Sequence, residues 1–287
     1  MTDVAASADS AFERLRALVP RLRPSEARVV NALLDCGPDI LDRSVSEIAT
    51  AAGVGVATVV RACQSAGFTG FQAAKVALVR DKAAVGEVIQ DDVGASDSPA
   101  EILAKVAASS ADAVSRTTAS VSPEALAAAV ARIAGADRVL CLGVGTSAPL
   151  VQDAAYRLLT VGIAAEAPPD VHVQHVRAQL LRPGDVAIIV SHTGSTRETC
   201  AAAQAAKNAG AATIAVTSFS KTPLTDLADI VLVAGGRETS YRVEAMASRF
   251  AHLAVLDALL VAVSVRDAGR TRPAQAGTEH VLAEHRF

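Results

Sequence analysis

Short apolar runs separated by helix-length amphipathic segments fill the chain from residue 137 onward and constrain its fold more than any other feature. None of the runs alternates polar and apolar residues, which is the pattern of strands covered on both faces. Strands that alternate with helices are joined by right-handed crossovers. We therefore predict an α/β domain with a doubly wound parallel sheet of about five strands. The runs are Arg138–Leu142, Val161–Ala164, Ala187–Val190, Thr213–Val216 and Ile230–Val233.

The part of the chain before these runs has a helical pattern throughout. Its apolar periodicity is interrupted at turn signals such as Pro24-Ser25 and Gly53, and we predict a small all-helical domain there. Stretches of small and acidic residues mark a linker after it. The predicted division is 1–82 for the helical domain, 83–97 for the linker, 98–267 for the α/β domain and 268–287 for a polar, loosely held tail. A short helix in the final residues of that tail is the alternative.

Composition limits the class of protein. Among 287 residues, 51% are hydrophobic and 3% aromatic, so the chain can fill a core but must build it from aliphatic side chains. The formal net charge is -3, and residues 1–82 hold ten basic and nine acidic side chains. Attraction to phosphate alone therefore gives a monomer little affinity for nucleic acid. Four scattered cysteines without metal spacing indicate thiols in a reducing compartment.

Residues 44–66 carry the signature of two short helices joined by a tight turn. Ser44 and Glu47 form a capping box that opens the first helix. Gly53 supplies a left-handed turn residue, and a second helix follows from Val56 to Ala66. A helical hairpin that only stabilises a core is the alternative interpretation. If this motif reads DNA, the candidate contacts are Ser46 on the first helix and Thr58, Arg61, Gln64 and Ser65 on the second. Lys75, Arg80 and Lys82 are candidates for contacts to the DNA phosphate backbone.

Several segments in order resemble the N-terminal domain of RpiR-type transcriptional regulators. They are Pro24–Val30, Ser46–Ala49, Ala52–Val54, Ala57–Arg61 and Gly67–Gln72. The resemblance implies a helix-turn-helix that binds DNA. This chain departs from the family at Gly55, where a capping serine is usual, at Ala62 and at Gln64-Ser65, and these changes leave the operator sequence open.

Two loops at the ends of predicted strands are rich in glycine and hydroxyl groups. We call Gly143–Ala148 the glycine loop and Ser191–Thr196 the hydroxyl loop. Ligands of open parallel sheets bind at this edge, where glycines, helix-start amides and hydroxyls can hold an anion. The glycine loop alone also fits a dinucleotide site with Glu166 as its ribose acid. The hydroxyl loop favours a compact phosphate monoester.

The order of these elements resembles the sugar isomerase (SIS) domain. The matching segments are Gly143–Ser147, Leu159 with Gly162, Ser191–Thr196, Ala209–Ala211, Thr222–Leu224 and Ala228-Asp229. Ser195, three residues before Glu198, is also a candidate helix cap. The resemblance implies effector contacts from Gly145, Thr146, Ser147, Ser191, Thr193, Ser195 and Thr196.

SIS domains also occur in aldose–ketose isomerases, which need a base. The candidates are His192, Glu238 and Glu244, and we favour a positional role for His192. His172 and His175 have no third metal ligand in the sequence. We predict a transcriptional regulator rather than an enzyme, with a sugar-phosphate isomerase carrying a helical appendage as the alternative.

The remaining predictions concern partners and location. We expect operator DNA and a phosphorylated sugar as partners, no cofactor or metal, and a homodimer or homotetramer because recognition of two half-sites needs two heads. Candidate helices for assembly are 101–117, 123–134 and 241–266. No signal peptide is recognisable, and Phe250–Val265 is interpreted as too short and too polar to span a bilayer, so we expect a cytoplasmic protein.

Overall fold

The computed structural model divides the chain into two compact units. They are residues 1–105 with 239–243 and residues 106–238 with 244–287. The predicted boundaries at 82 and 98 stay predictions. The residues that the structure describes are 11, 15, 18–19, 22–36, 40, 43–84 (without the side chains of 79–84), 93–94, 96–235 and 246–285.

In its described part, the first unit is built from helices around one aliphatic core. The largest fully buried side chains of this core are Leu15, Leu33, Ile40 and Ile48. The all-helical prediction is confirmed for these residues. The helices are α1 (Pro24–Asp35), α2 (Val45–Ala52), α3 (Val56–Ser65) and α4 (Phe71–Ala84), while α5 (Pro99–Ser120) begins here and continues into the second unit.

Local chemistry sets both ends of α2. Ser44 Oγ accepts a hydrogen bond from the Glu47 amide at 3.1 Å, and the Glu47 carboxylate accepts one from the Ser44 amide at 2.8 Å. This is the predicted capping box. Gly53 ends the helix with a left-handed φ of 62°, and the Val54 amide donates to the Ala49 carbonyl at 2.9 Å. The tight turn therefore follows from residues that are close in sequence.

The second unit is an α/β domain with helices on both faces of a five-stranded sheet. All strands are parallel and lie in the order β2-β1-β3-β4-β5, which confirms the predicted architecture. The strands are β1 (Val139–Leu142), β2 (Ala165–Glu166), β3 (Val186–Val190), β4 (Ala212–Thr217) and β5 (Ile230–Val233). The helices are α6 (Pro123–Ala134), α7 (Ala148–Thr160), α8 (Val171–Gln179), α9 (Arg197–Asn208), α10 (Pro223–Leu227), α11 (Ser248–Arg266) and α12 (Ala268–Glu284).

The central strands bury side chains on both faces of the sheet. Along β1, Val139 and Cys141 enter a core shared with α6, α7 and α11. Leu140 and Leu142 enter a second core shared with α8, α9 and α10. Because each face of β1 is covered, polar residues do not alternate with apolar ones in its sequence.

The short strand lies later than the sequence indicated. Residues 161–164 do not form it, and β2 at Ala165–Glu166 pairs with β1 instead. Val161 and Ile163 are buried, so core packing of the turn after α7 accounts for the apolar run. The prediction was wrong because it took buried turn residues for a strand.

Residues 268–284 form a helix that packs on the domain, where a loosely held tail with at most a short helix at its end was expected. Arg270 Nη1 on α12 donates to the Ala134 carbonyl at 3.1 Å, and Thr271 is buried. Helix α12 contacts α7 and α11. A polar composition hid this helix because few of its residues face the core.

Helix α11 has the length and composition of a membrane span, against our expectation for this stretch. It runs for 19 residues with a mean hydropathy of 1.6. Helices α2 and α3, taken together as one bent segment, are also long and apolar enough to cross a membrane. One side of α11, including Ala251, Val255 and Leu259, is buried in the core with α6 and α7. We interpret α11 as a core helix of this domain. Its predicted start at Tyr241 lies outside the described residues.

Candidate functional site

Helices α2 and α3 cross at a steep angle in the first unit. They are bent by 92° across the turn of residues 53–55, which is within the range of helix-turn-helix motifs. Val59 and Ala62 of α3 are fully buried in the core, and Val54 packs against it from the turn. One face of α3 is thereby fixed and the opposite face is left at the surface.

The exposed face of α3 carries most of the predicted DNA contacts. Arg61, Gln64 and Ser65 are exposed, and Thr58 is half-buried. Arg61 Nη2 donates to Thr58 Oγ1 at 3.3 Å, so these two side chains lie together. Ser46 is half-buried in the first turn of α2. Guanidinium, amide and hydroxyl groups are the types that contact base edges and phosphates.

The position of Lys75 contradicts the phosphate contact predicted for it. Its side chain is buried, with its Nζ donating to the Arg43 carbonyl at 2.9 Å and lying 5.8 Å from the centre of the Phe71 ring. We withdraw this residue because its ammonium is already bound inside the unit. The side chains of Arg80 and Lys82 lie outside those that the structure describes.

An acidic side chain adjoins the end of the exposed face of α3. Ser65 Oγ donates to Glu26 Oε1 at 3.3 Å. The other oxygen of the Glu26 carboxylate accepts from the Arg23 amide at 3.3 Å, where it caps α1. The Glu26 carboxylate therefore places a negative charge beside Ser65, at the end of the exposed face of α3.

In the second unit, the two predicted loops meet at a topological switch point. The glycine loop follows β1 and the hydroxyl loop follows β3, and these strands are neighbours in the sheet. Helix α7 leaves the first loop toward one face of the sheet, and α9 leaves the second loop toward the other. Ligands of open α/β sheets bind in the crevice that such a divergence creates.

A buried glutamine holds the glycine loop in place. Gln174 of α8 donates from Nε2 to the carbonyls of Gly143 at 3.0 Å and Pro168 at 2.8 Å, and its Oε1 accepts from the Gly143 amide at 3.3 Å. Farther along the loop, Ser147 is buried, while Gly145 and Thr146 are exposed. Gln174 was missed because its partner is 31 residues away and no local pattern indicates the contact.

The hydroxyl loop is closed by its own side chains. Ser191 Oγ accepts from the Gly194 amide at 3.1 Å, and Thr193 Oγ1 accepts from the Ser195 amide at 3.2 Å. Gly194 has a φ of 60°, and a Cβ there would overlap the Thr222 side chain. Both the backbone conformation and this close approach therefore require glycine.

The helices that leave the two loops begin without a side-chain cap. The N-cap residues are Ser147 for α7 and Thr196 for α9, and neither side chain accepts a bond from its helix. In contrast, Ser122 and Asp170 cap α6 and α8. First-turn amides carry partial positive charge and bind anions. The uncapped start of α9 suits a phosphate group. In contrast, α7 follows directly on a 3₁₀ turn at Gly145–Ser147, the Ala148 amide donates to the Gly145 carbonyl, and Pro149 has no amide hydrogen.

The structure also corrects one alternative for Ser195. This residue does not cap α9, because the N-cap position belongs to Thr196. Ser195 Oγ instead donates to the Thr193 carbonyl at 3.1 Å. Thr193, Ser195 and Thr196 are half-buried and share the hydroxyl loop with Ser191, while the other predicted effector residues lie on the glycine loop.

Ser218 and His252, which sequence analysis did not identify, extend a chain of polar contacts from His192 of the hydroxyl loop. His192 Nδ1 lies 2.9 Å from Ser218 Oγ, and Ser218 Oγ lies 3.0 Å from His252 Nε2 on α11. His252 Nε2 is also 3.0 Å from the Ala234 carbonyl. Burial lowers the pKa of His252 to about 3, with a smaller contribution from His192. Sequence separations of 26 and 34 residues hide these contacts from local patterns.

Two observations do not support the dinucleotide site that was the alternative for the glycine loop. Glu166 lies within 3.5 Å of Arg177 Nη2, and the strand order differs from 3-2-1-4-5-6, the usual order of dinucleotide-binding sheets. Within the described residues, no three His, Cys, Asp or Glu side chains converge as metal ligands. The candidate bases Glu238 and Glu244 lie outside the described residues.

Comparisons with known proteins match both units. Residues 10–85 match the helix-turn-helix domain of the rpiR family, and residues 132–262 match the SIS domain. An HTH-type transcriptional regulator of Caldanaerobacter subterraneus is 32% identical over 264 residues, covering 92% of this chain and 91% of the relative.

Two solved structures extend the likeness. The Vibrio vulnificus NanR protein complexed with ManNAc-6P has a TM-score of 0.80 and 25% identity, covering 96% of this chain and 99% of that one. The sugar isomerase domain of an RpiR transcription factor from Sphaerobacter thermophilus has a TM-score of 0.58 and 29% identity, covering 63% and 99%.

Fold, site and relatives define the class of this protein as a transcriptional regulator that joins a helix-turn-helix to a SIS domain. The chain belongs to the RpiR family.

Proposed function

We propose that this regulator binds a phosphorylated sugar between its glycine and hydroxyl loops and that the bound sugar alters its binding to operator DNA. The carrying observation is that the glycine loop and the uncapped start of α9 lie at the ends of the adjacent strands β1 and β3. Ser147 and Ser191, both buried, supply the leading hydroxyl contacts to phosphate. The NanR relative, solved with ManNAc-6P, supports this class of effector.

Contacts to the sugar phosphate involve both loops. Amide groups at the start of α9 bind phosphate oxygens, and hydroxyls of both loops complete the coordination. The contact residues are Gly145, Thr146, Ser147, Ser191, Thr193, Ser195 and Thr196.

On the DNA side, α3 is the recognition helix. Thr58, Arg61 and Gln64 face the major groove, Ser65 lies at the edge beside Glu26, and Ser46 contacts the backbone. One arginine on this face gives a single head little affinity, so the protein acts as a homodimer or homotetramer in the cytoplasm.

The effector site serves recognition rather than turnover. An aldose–ketose isomerase needs a base that moves a proton between neighbouring carbons. His192 is the candidate base within the described residues, and its Nδ1 is engaged by Ser218. Because the similar proteins are transcriptional regulators, we infer that the effector is bound and not converted.

A thermal-shift screen tests the proposal directly. The purified chain is heated with hexose 6-phosphates, N-acetylhexosamine 6-phosphates, pentose 5-phosphates and inorganic phosphate. A ligand that binds only the native state raises the unfolding temperature. Duplexes selected from a random pool then report operator binding with and without the stabilising sugar. Conversion of a sugar phosphate at enzyme-like rates would identify an isomerase instead.

A further inference from the structure

Arg43 is an exposed cation that lies immediately before the first helix of the helix-turn-helix. It precedes Ser44, the N-cap of α2, and about half of its side chain is exposed. Sequence analysis did not identify it as a DNA contact, because it belongs to neither helix of the motif. Arginine side chains and helix N-termini are both groups that contact DNA phosphates. Whether Arg43 does so depends on how the chain is fixed at this point and on what its side chain already contacts.

Two hydrogen bonds fix the main chain of Arg43. Its carbonyl accepts from Lys75 Nζ at 2.9 Å, and its amide donates to the Ile40 carbonyl at 3.3 Å. Lys75 and Ile40 are both buried, so these bonds tie Arg43 to the interior of the first unit. The side chain of Arg43 therefore leaves the chain from a fixed point at the start of α2.

The guanidinium of Arg43 lies along the first turn of α2. Its Nη1 is 3.8 Å from Glu47 Oε1, while the other oxygen of that carboxylate accepts from the Ser44 amide. An exposed ion pair at this distance contributes little stability. A guanidinium carries five N–H donors, so one contact with a carboxylate oxygen does not use them up. Arg43 can therefore donate to a phosphate oxygen from the position that it occupies.

The steep crossing of α2 and α3 sets where this side chain meets DNA. When a recognition helix lies in the major groove, the first helix of the motif crosses the phosphate backbone. Helices α2 and α3 are bent by 92°, and the eight residues of α2 span about 12 Å. The major groove is about 12 Å wide, so phosphates border it about 6 Å from its middle. With α3 in the groove, the start of α2 lies over the phosphates of one strand and not over base edges.

We propose that Arg43 contacts the phosphate backbone of operator DNA and supplies affinity without reading the base sequence. This inference rests on the proposed function, in which α3 is the recognition helix. It adds a second arginine to the DNA-binding surface, with a role different from that of Arg61. The partner of Arg43 is a phosphate of duplex DNA, whichever bases lie beside it.

Salt dependence separates a phosphate contact from a base contact. Each phosphate contact steepens the fall of log affinity with log salt by about 0.9. We expect Arg43→Gln to reduce this steepness by about 0.9 per head, and to weaken a selected duplex and an unrelated duplex by the same factor, about eightfold per head near 0.1 M salt. Arg61→Ala should weaken the selected duplex more than the unrelated one. Arg132→Gln, which removes the same charge from an exposed position on α6, should change neither duplex affinity.

A double-mutant cycle with Glu47 separates a direct contact from charge neutralisation. Glu47→Gln keeps an oxygen that can accept from the Ser44 amide but removes the negative charge beside Arg43. If Arg43 contacts phosphate, Arg43→Gln weakens DNA binding in the Glu47→Gln background by about the same factor as in the wild-type protein. If Arg43 only offsets the charge of Glu47, Arg43→Gln has no effect in that background, and the proposal is overturned.

The outcomes distinguish this inference from the proposed function. Unchanged DNA affinity and salt dependence in Arg43→Gln, together with a loss in Arg61→Ala, overturn the phosphate contact and leave the role of α3 intact. A loss confined to the selected duplex in Arg43→Gln makes Arg43 a base contact, which also overturns the proposal. If Arg61→Ala does not weaken the selected duplex, the proposed role of α3 fails, whatever the effect of Arg43→Gln.

Discussion

Replacing Ser191 by alanine should weaken effector binding while leaving the fold almost unchanged. The hydroxyl is buried and accepts from the Gly194 amide at 3.1 Å. That amide also donates to the Ser191 carbonyl at 3.2 Å, so it keeps a partner in the variant. The loss in free energy of unfolding should therefore stay at about 1 kcal/mol, the net value of one ordinary hydrogen bond.

The effect of Ser191→Ala on the ligand should be larger, because a hydroxyl that donates to a phosphate anion makes a charge-assisted bond. Such bonds contribute about 1.5–3 kcal/mol, so the effector dissociation constant should rise roughly 10- to 150-fold. Titration calorimetry with the sugar phosphate found in the thermal-shift screen measures this change. Fluorescence anisotropy of a selected duplex should show unchanged DNA affinity without effector.

Ser264→Ala is the control for Ser191→Ala, since it removes a hydroxyl of the same domain that bonds to the Leu260 carbonyl on α11. It should leave the effector dissociation constant unchanged. If Ser191→Ala binds the effector as tightly as the wild-type protein does, the hydroxyl does not contact phosphate and the assignment of the loop is wrong.

Three further predictions address the recognition helix and the buried histidine. Arg61→Ala should weaken operator binding by about 1–3 kcal/mol per head through loss of a base contact, with effector titration unchanged. Glu26→Gln should strengthen DNA binding about twofold, because it removes a carboxylate beside Ser65 while keeping the cap of α1. The folded pKa of His252, about 3, lies below its unfolded value of 6.5, so stability present above pH 6.5 is lost toward pH 3, by about 2 kcal/mol at pH 5. Denaturant unfolding should show a flatter pH profile in His252→Gln.

Each of these predictions has a result that contradicts it. Loss of both DNA and effector binding in a folded Arg61→Ala protein would refute the separation of roles. Weaker DNA binding in Glu26→Gln would mean that the carboxylate supports the DNA-binding surface. An unchanged slope of stability against pH in His252→Gln would show that this ring does not titrate with unfolding.

The fold was predictable where neighbouring residues decide it. The capping box at Ser44 and the turn at Gly53 depend on bonds between residues at most five apart. The strands after residue 137 were readable because burial on both faces leaves continuous apolar runs. Residues 161–164 were wrongly predicted as a strand for the same reason, because a buried turn produces the same run of apolar residues as a buried strand.

For the candidate site, sequence identified the loops, and the structure supplied their supports. Ser147 and Ser191 follow strands recognisable by composition, so their placement at one sheet edge could be inferred. The hydrogen bonds of Gln174 to Gly143, and the contacts of Ser218 with His192 and His252, join residues 26 to 34 positions apart. Such contacts are created by packing and have no local signal.

The sequence by itself determined that a helix-turn-helix precedes a doubly wound sheet and that hydroxyl-rich loops end two of its strands. Capping, turn conformation and the period of apolar residues act over a few positions, so they are legible in the chain. Only the tertiary structure decided that Lys75 is buried against Arg43 and that Ser218 lies within hydrogen-bond distance of both His192 and His252. Burial and the partner of a long polar side chain depend on which elements pack together, and that is settled by contacts across the whole domain.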